Sequence, residues 1–148
     1  MLPTPPQLDG DGNVIPHNHP EILAADELIR RVSQYLVVKD PKVAGGVRPS
    51  SRLLTMSTEV NGGMSIDLKR HMEEDGVDAA AYVSVPPWLG SVIFTAQDFR
   101  NENLMVGYHP VDENPYHGEV WGNLTDGCKK RLLRIFKWFV PVKIEDIP

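Results

Sequence analysis

The sequence predicts an α+β fold: a small, mostly antiparallel sheet covered by two longer helices, with an extended proline-rich arm in front. Three observations carry this. Apolar residues recur at helical spacing near both ends of the chain, β-branched and aromatic runs fall between them, and four prolines crowd the first 19 residues. Residues 1–19 therefore read as an arm and residues 20–148 as one α+β domain.

The arm holds Pro3, Pro5, Pro6, Pro16 and the turn-forming run Asp9–Gly10–Asp11–Gly12–Asn13. With few large apolar groups to bury, it would be ordered only by lying across the domain or a partner. Pro20–Glu21 opens a first helix, in which Ile22, Leu23, Ala25, Leu28, Ile29, Val32 and Leu36 form the apolar side and Glu27, Arg30, Arg31 and Gln34 the polar one. Leu36–Val38 follows as a short strand. After the breakers Gly45–Gly46 and Pro49, the run Leu53–Ser57 is open between strand and irregular structure. Asn61–Gly62–Gly63 is a turn, and Ser65 caps a helix over 66–75 that Gly76 ends. Asp78 caps a short helical turn at 79–82, which Pro86–Pro87 closes off.

Leu89–Thr95, Leu104–Tyr108 and Glu119–Trp121 read as strands. Thr125 or Asp126 then caps a long helix to about Phe139, with Cys128, Leu132, Ile135, Phe136 and Phe139 as its apolar stripe.

Composition is that of an ordinary globular chain, 41% hydrophobic and 24% charged. A single cysteine excludes an intramolecular disulfide and a thiolate-rich zinc site. No stretch reaches the roughly 20 apolar residues that span a bilayer, and the amino terminus lacks the signal-peptide pattern, so a soluble cytoplasmic protein without membrane contact is expected. The net charge of −5 hides an asymmetry. Lys129, Lys130, Arg131, Arg134, Lys137 and Lys143 face Asp126 alone in the last segment, placing a basic element on an acidic body.

Between the last two strands of the middle region lies Gly107–Glu119, where two prolines hold His109, Asn114, Tyr116, His117 and Glu119 in a loop longer than a usual hairpin connection. The order Arg48–Pro49–Ser50–Ser51, Ser65–Ile66–Asp67–Leu68, Asn114–Pro115–Tyr116–His117–Gly118–Glu119–Val120 with Gly122, and a closing basic helix resembles a family of small, functionally uncharacterised bacterial proteins. The resemblance spans roughly residues 45–140 and implies no particular substrate or reaction.

His109 and His117, with Tyr116 and Glu119, form a candidate acid–base group, because an imidazole exchanges protons near neutrality. Arg48, Ser50 and Ser51 are candidates for holding an anion, and Asn114 of the proline-rich loop is a further ligand-binding candidate. Arg134 and Trp138 offer a cation and a stacking ring on the last helix. His17 and His19 alone are too few for a zinc site, and no metal or cofactor is assigned. The chain thus reads first as an interaction module that meets a protein partner through its arm or basic helix. The alternatives are an enzyme acting on a nucleotide or RNA, by phosphodiester cleavage or ADP-ribosyl transfer, and a nucleotide-binding sensor; enzyme status stays open. The catalytic alternative requires Arg48, His109 and His117 to meet in one cleft.

Overall fold

The computed structural model describes residues 1–148. Its centre is a six-stranded antiparallel sheet built from β1 (Glu27–Val32), β4 (Met64–Leu68), β5 (Gly90–Thr95), β6 (Met105–Tyr108), β7 (His117–Trp121) and β8 (Lys137–Val140), in the order β6-β7-β4-β1-β5-β8. A separate two-stranded ribbon pairs β2 (Val37–Lys39) with β3 (Val47–Pro49). The helices are α1 (Lys69–Glu74), α2 (Ala79–Val83), α3 (Ala96–Arg100) and α4 (Asp126–Ile135).

The fold class expected from the sequence needs correction: two longer helices do not exist. Only α4, at ten residues, is longer than six. The segment expected to be the first helix is instead β1, the centre of the sheet. Leu28, Ile29 and Val32 are completely buried there, and both neighbouring strands pair with it. A strand covered on both faces loses the simple apolar–polar alternation, and Leu–Ile–Arg–Arg–Val then mimics helical spacing.

The last helix stops early for a related reason. Phe136 leaves helical geometry (φ −59°, ψ 154°), and Lys137–Val140 joins the sheet beside β5. As a strand, successive side chains go to opposite faces, so Trp138 packs into the main core and Phe139 into a second cluster. The expected helix at 66–75 divides likewise into strand β4 and the short α1. Ser65 lies exposed on the strand and caps nothing, while Leu53 closes a 3-10 turn rather than opening a strand.

Other local readings match the structure. Asp78 accepts a hydrogen bond from the Ala81 amide to cap α2, Thr125 caps α4 through the Cys128 amide, and the strands at β5, β6 and β7 lie within two residues of their expected bounds. Cys128 is buried.

The arm lies across its own domain. Along the free edge of β6, the His19 amide donates to the Val106 carbonyl (2.9 Å), Asn18 Oδ1 accepts from the Val106 amide (2.9 Å) and His17 Nε2 accepts from the Tyr108 amide (3.1 Å). Two side chains thus stand in for backbone and cover an edge that would otherwise expose unpaired amides. The aspartate–glycine turn closes a Leu8–Val14 bridge and is tied to Asn61, whose Nδ2 donates to Asp9 Oδ2.

The two sheet faces differ. One carries Leu28, Val32, Met64, Ile66, Leu68, Val92, Phe94, Val106 and Val120 in the main core, with Leu132 of α4 and Phe99 of α3. The other carries Ile29 in a smaller cluster with Met72, Ala79, Val83 and Tyr116. Beside that cluster runs a row of polar side chains, and the candidate site lies there.

Candidate functional site

The row follows from strand register. Ile29 of β1 stands opposite Asp67 of β4, and Asp67 opposite His117 of β7. The His109 amide, just past β6, donates to the His117 carbonyl (3.0 Å), which continues the row. One step along, Ser65 stands opposite Glu119. Because side chains two apart share a face, Asp67 and Ser65 project the same way, as do His117 and Glu119.

Arg31 of β1 reaches into this row and grips Asp67 with two parallel hydrogen bonds, Nε to Oδ2 (2.9 Å) and Nη2 to Oδ1 (3.1 Å). Asn114 Nδ2 donates to the same carboxylate (2.6 Å), and Tyr82 donates to Asn114 Oδ1 (2.9 Å). The Asp67 side chain is buried, so this chain of donors repays the cost of desolvating its charge. The Arg31 guanidinium also lies 5.8 Å from the Tyr82 ring centre. Burial, followed by the negative charge of Asp67, raises the Tyr82 hydroxyl above its usual range.

Above this floor opens a cleft of about 550 Å³, lined by Arg30, Arg31, Ser65, Asp67, Tyr82, Trp88, Glu113, Asn114 and His117 with Val85 and Val111. Arg30 enters it through a gap in the sheet. β1 and β4 pair at only two positions, Leu28–Leu68 and Ile29–Asp67. Beyond them the Arg30 guanidinium spans the opening, donating from Nε to the Leu53 carbonyl and from Nη1 to the Ser65 carbonyl, both at 3.0 Å. It makes no ion pair within 4 Å. Desolvation, only partly offset by Asp67, pushes its pKa down to about 10.

The sequence-expected residues are divided by the fold. His117 and Asn114 line the cleft. His109 and Glu119 adjoin His117: His109 Nδ1 lies 3.0 Å from Glu119 Oε1, and the two imidazole centres are 5.5 Å apart. Tyr116 is buried under α1 and α2, where its hydroxyl donates to Asp75 (2.9 Å), and so acts as a strut.

Arg48 is not part of this group. It stands exposed on the β2–β3 ribbon and pairs with Asp40 (3.0 Å). Ser50 caps a 3-10 turn through the Arg52 amide, and Ser51 is exposed; neither lines the cleft. Arg134 is exposed on α4, and Trp138 packs into the opposite face against Phe136. The guanidiniums that reach the cleft are Arg30 and Arg31, which the helical reading put on a solvent-facing side. Two adjacent arginines inside an otherwise apolar run were the available signal, since in a central strand they are driven to opposite covered faces.

The histidines of the arm have no free nitrogen. His17 uses Nδ1 on the Ile15 carbonyl and Nε2 on the Tyr108 amide, while His19 uses Nε2 on the Thr4 carbonyl and Nδ1 on the Glu21 amide. His71 is buried within α1, and burial followed by the neighbouring Arg70 lowers its pKa.

No protein-family model, curated protein or solved structure matches the chain. No helix is long and apolar enough to cross a membrane.

Proposed function

We propose that the chain binds a small nucleotide-like ligand, a planar ring bearing phosphate, in the cleft above β1, β4 and β7. The observation that carries this reading is Arg30: a desolvated guanidinium at a cavity wall, held by two carbonyls and paired with no carboxylate. Arg30 is half-buried with no carboxylate within ion-pair distance, and an anionic group brought by a ligand would supply the missing counter-charge. Arg31 is already neutralised by Asp67, so Arg30 is the cation with capacity to spare. Trp88 and Tyr82 supply the aromatic surface on which a flat ring stacks. The cleft volume falls within the range of small-molecule sites.

The partner-module reading has less support than the cleft. The arm satisfies its polar groups on its own domain, and the basic residues of α4 stand on the other side of the sheet from the polar row.

The test is thermal unfolding with a panel of nucleotides and their unphosphorylated nucleosides. At a hundredfold excess over Kd, binding adds about 2.7 kcal/mol. For a domain of this size that corresponds to a rise in Tm of roughly 5–10 °C. Arg30→Met should abolish the rise for phosphorylated ligands while the variant stays folded. No shift across the panel, or an equal shift in Arg30→Met, would overturn the proposal.

A further inference from the structure

We infer that His109, His117 and Glu119 form a binding site for a divalent transition-metal ion of the zinc class, with His109 Nδ1, His117 Nε2 and Glu119 Oε1 as ligands. One potential ligand atom from each residue lies within 4.8 Å of the others, so small side-chain rotations would bring them to the roughly 3.3 Å separations of a tetrahedral ion with bonds of about 2 Å.

The hydrogen bonds around the cluster leave those three atoms free. His117 Nδ1 is 2.6 Å from the His109 carbonyl and must donate to it, which puts the remaining lone pair on Nε2. Metal-bound histidines are oriented in this way, with the second nitrogen donating to a carbonyl or carboxylate. Glu119 Oε2 accepts from the Gly63 amide (3.0 Å), which leaves Oε1.

His109 Nδ1 is the decisive atom. It is buried and has no hydrogen-bond partner, although Glu119 Oε1 lies only 3.0 Å away. The two atoms are close, yet the contact does not meet hydrogen-bond geometry, so Nδ1 is left unsatisfied beside a carboxylate oxygen. A simple imidazolium–carboxylate pair would have aligned.

The positions are rigid. His117 and Glu119 are two apart on β7 and share a face, while His109 is held opposite His117 by a backbone hydrogen bond. Two imidazoles and one carboxylate suit zinc or iron(II) and disfavour magnesium and calcium, which prefer all-oxygen sites. Three protein ligands leave at least one position open. Because His117 also lines the cleft, that position borders the proposed ligand pocket. The metal site is independent of the nucleotide reading and stands or falls separately.

The experiment is calorimetric titration of chelator-treated protein with zinc chloride, and under anaerobic conditions with iron(II), alongside magnesium and calcium chloride. One equivalent of zinc or iron should bind, and magnesium or calcium should not compete. His109→Ala and Glu119→Gln should each weaken binding by about tenfold or more. Glu119→Gln retains an oxygen for the Gly63 amide, and His109 is partly exposed, so circular dichroism should show both variants folded. His17→Gln should leave the stoichiometry and affinity unchanged. Absence of zinc and iron binding, wild-type affinity in both site variants, or loss of binding in His17→Gln alone would overturn the assignment. Cobalt(II) supplies a second readout: its visible spectrum should show low coordination with nitrogen ligands in wild type and not in His109→Ala. A purely hexahydrated spectrum in wild type would count against the site.

Discussion

The two faces of the central sheet are held by different physics. On the core face, nearly every side chain is apolar and fully enclosed, and stability comes from area removed from water. On the other face, a small apolar cluster around Ile29 and Tyr116 sits beside polar groups that satisfy one another across β1, β4 and the loop before β7. An apolar surface is complete when it is covered. A polar row can be almost complete, and its few unmatched atoms then become informative. Here these are the Arg30 guanidinium, which belongs by alternation to the core face but emerges through the gap between β1 and β4, and the buried Nδ1 of His109. The Ser91 hydroxyl, also buried without a partner, lies at the bulge between β5 and β8 and does not line the cleft.

The contrast predicts that truncation on the core face has the larger effect and no polar remedy. Phe99 is fully buried, with its ring 5.0 Å from that of Phe94. Phe99→Ala should cost about 3–5 kcal/mol in urea denaturation, through lost burial and the cavity left behind. A cost below about 1 kcal/mol would mean that this face collapses to fill the space, contrary to a close-packed core.

On the polar face, the effect should depend on which partner is removed. Asp67→Ala leaves the Arg31 guanidinium and the Asn114 amide facing a buried gap, and should cost about 2–4 kcal/mol. The double variant Arg31→Met/Asp67→Leu removes both charges and should recover part of that loss, because apolar groups of similar size no longer carry a desolvation cost. Nothing comparable is expected to rescue Phe99→Ala. Additive destabilisation in the double variant would erase the distinction between the faces.

The same contrast explains what could be read from residues alone. β5, β6 and β7, the Asp78 and Thr125 caps and the turn at Asn61–Gly63 rest on local chemistry, and local chemistry is visible in sequence. β1 and β8 were hidden because their patterns are set by neighbours. Leu28 and Ile29 are both buried only because strands and helices cover both sides, and Trp138 and Phe139 serve two separate clusters. His109, His117 and Glu119 stood out because prolines set off the segment that carries them, although His117 and Glu119 lie on β7. Arg30, Arg31 and Asp67 did not, since their roles depend on register across β1, β4 and β7 and on the place where two strands part.

The smallest predicted effect is absent at neutral pH. His71 lies buried on α1, on the side of the small cluster, and is faced by Arg70, Asp26, Glu74 and the amino terminus. Burial is the largest influence and lowers its pKa; Arg70 adds to that, while Asp26 and Glu74 oppose it. The folded state therefore binds the proton less readily than the unfolded chain, whose histidine titrates near 6.5. Stability from this residue is fully present above about pH 6.5 and is lost as pH falls from there through the lower folded value. Asp26, Glu74 and Asp75 also contribute in acid, but their pKa values are lowered from about 4, so their loss comes at lower pH. Urea midpoints of wild type and His71→Gln, measured from pH 8 down to pH 5, should differ by a constant amount above pH 7. Below about pH 6.5 the wild type should lose stability relative to the variant. A constant difference across the whole range would mean that His71 is as well solvated as in the unfolded chain, and that this side of the sheet is open to water at α1 as well as at the cleft.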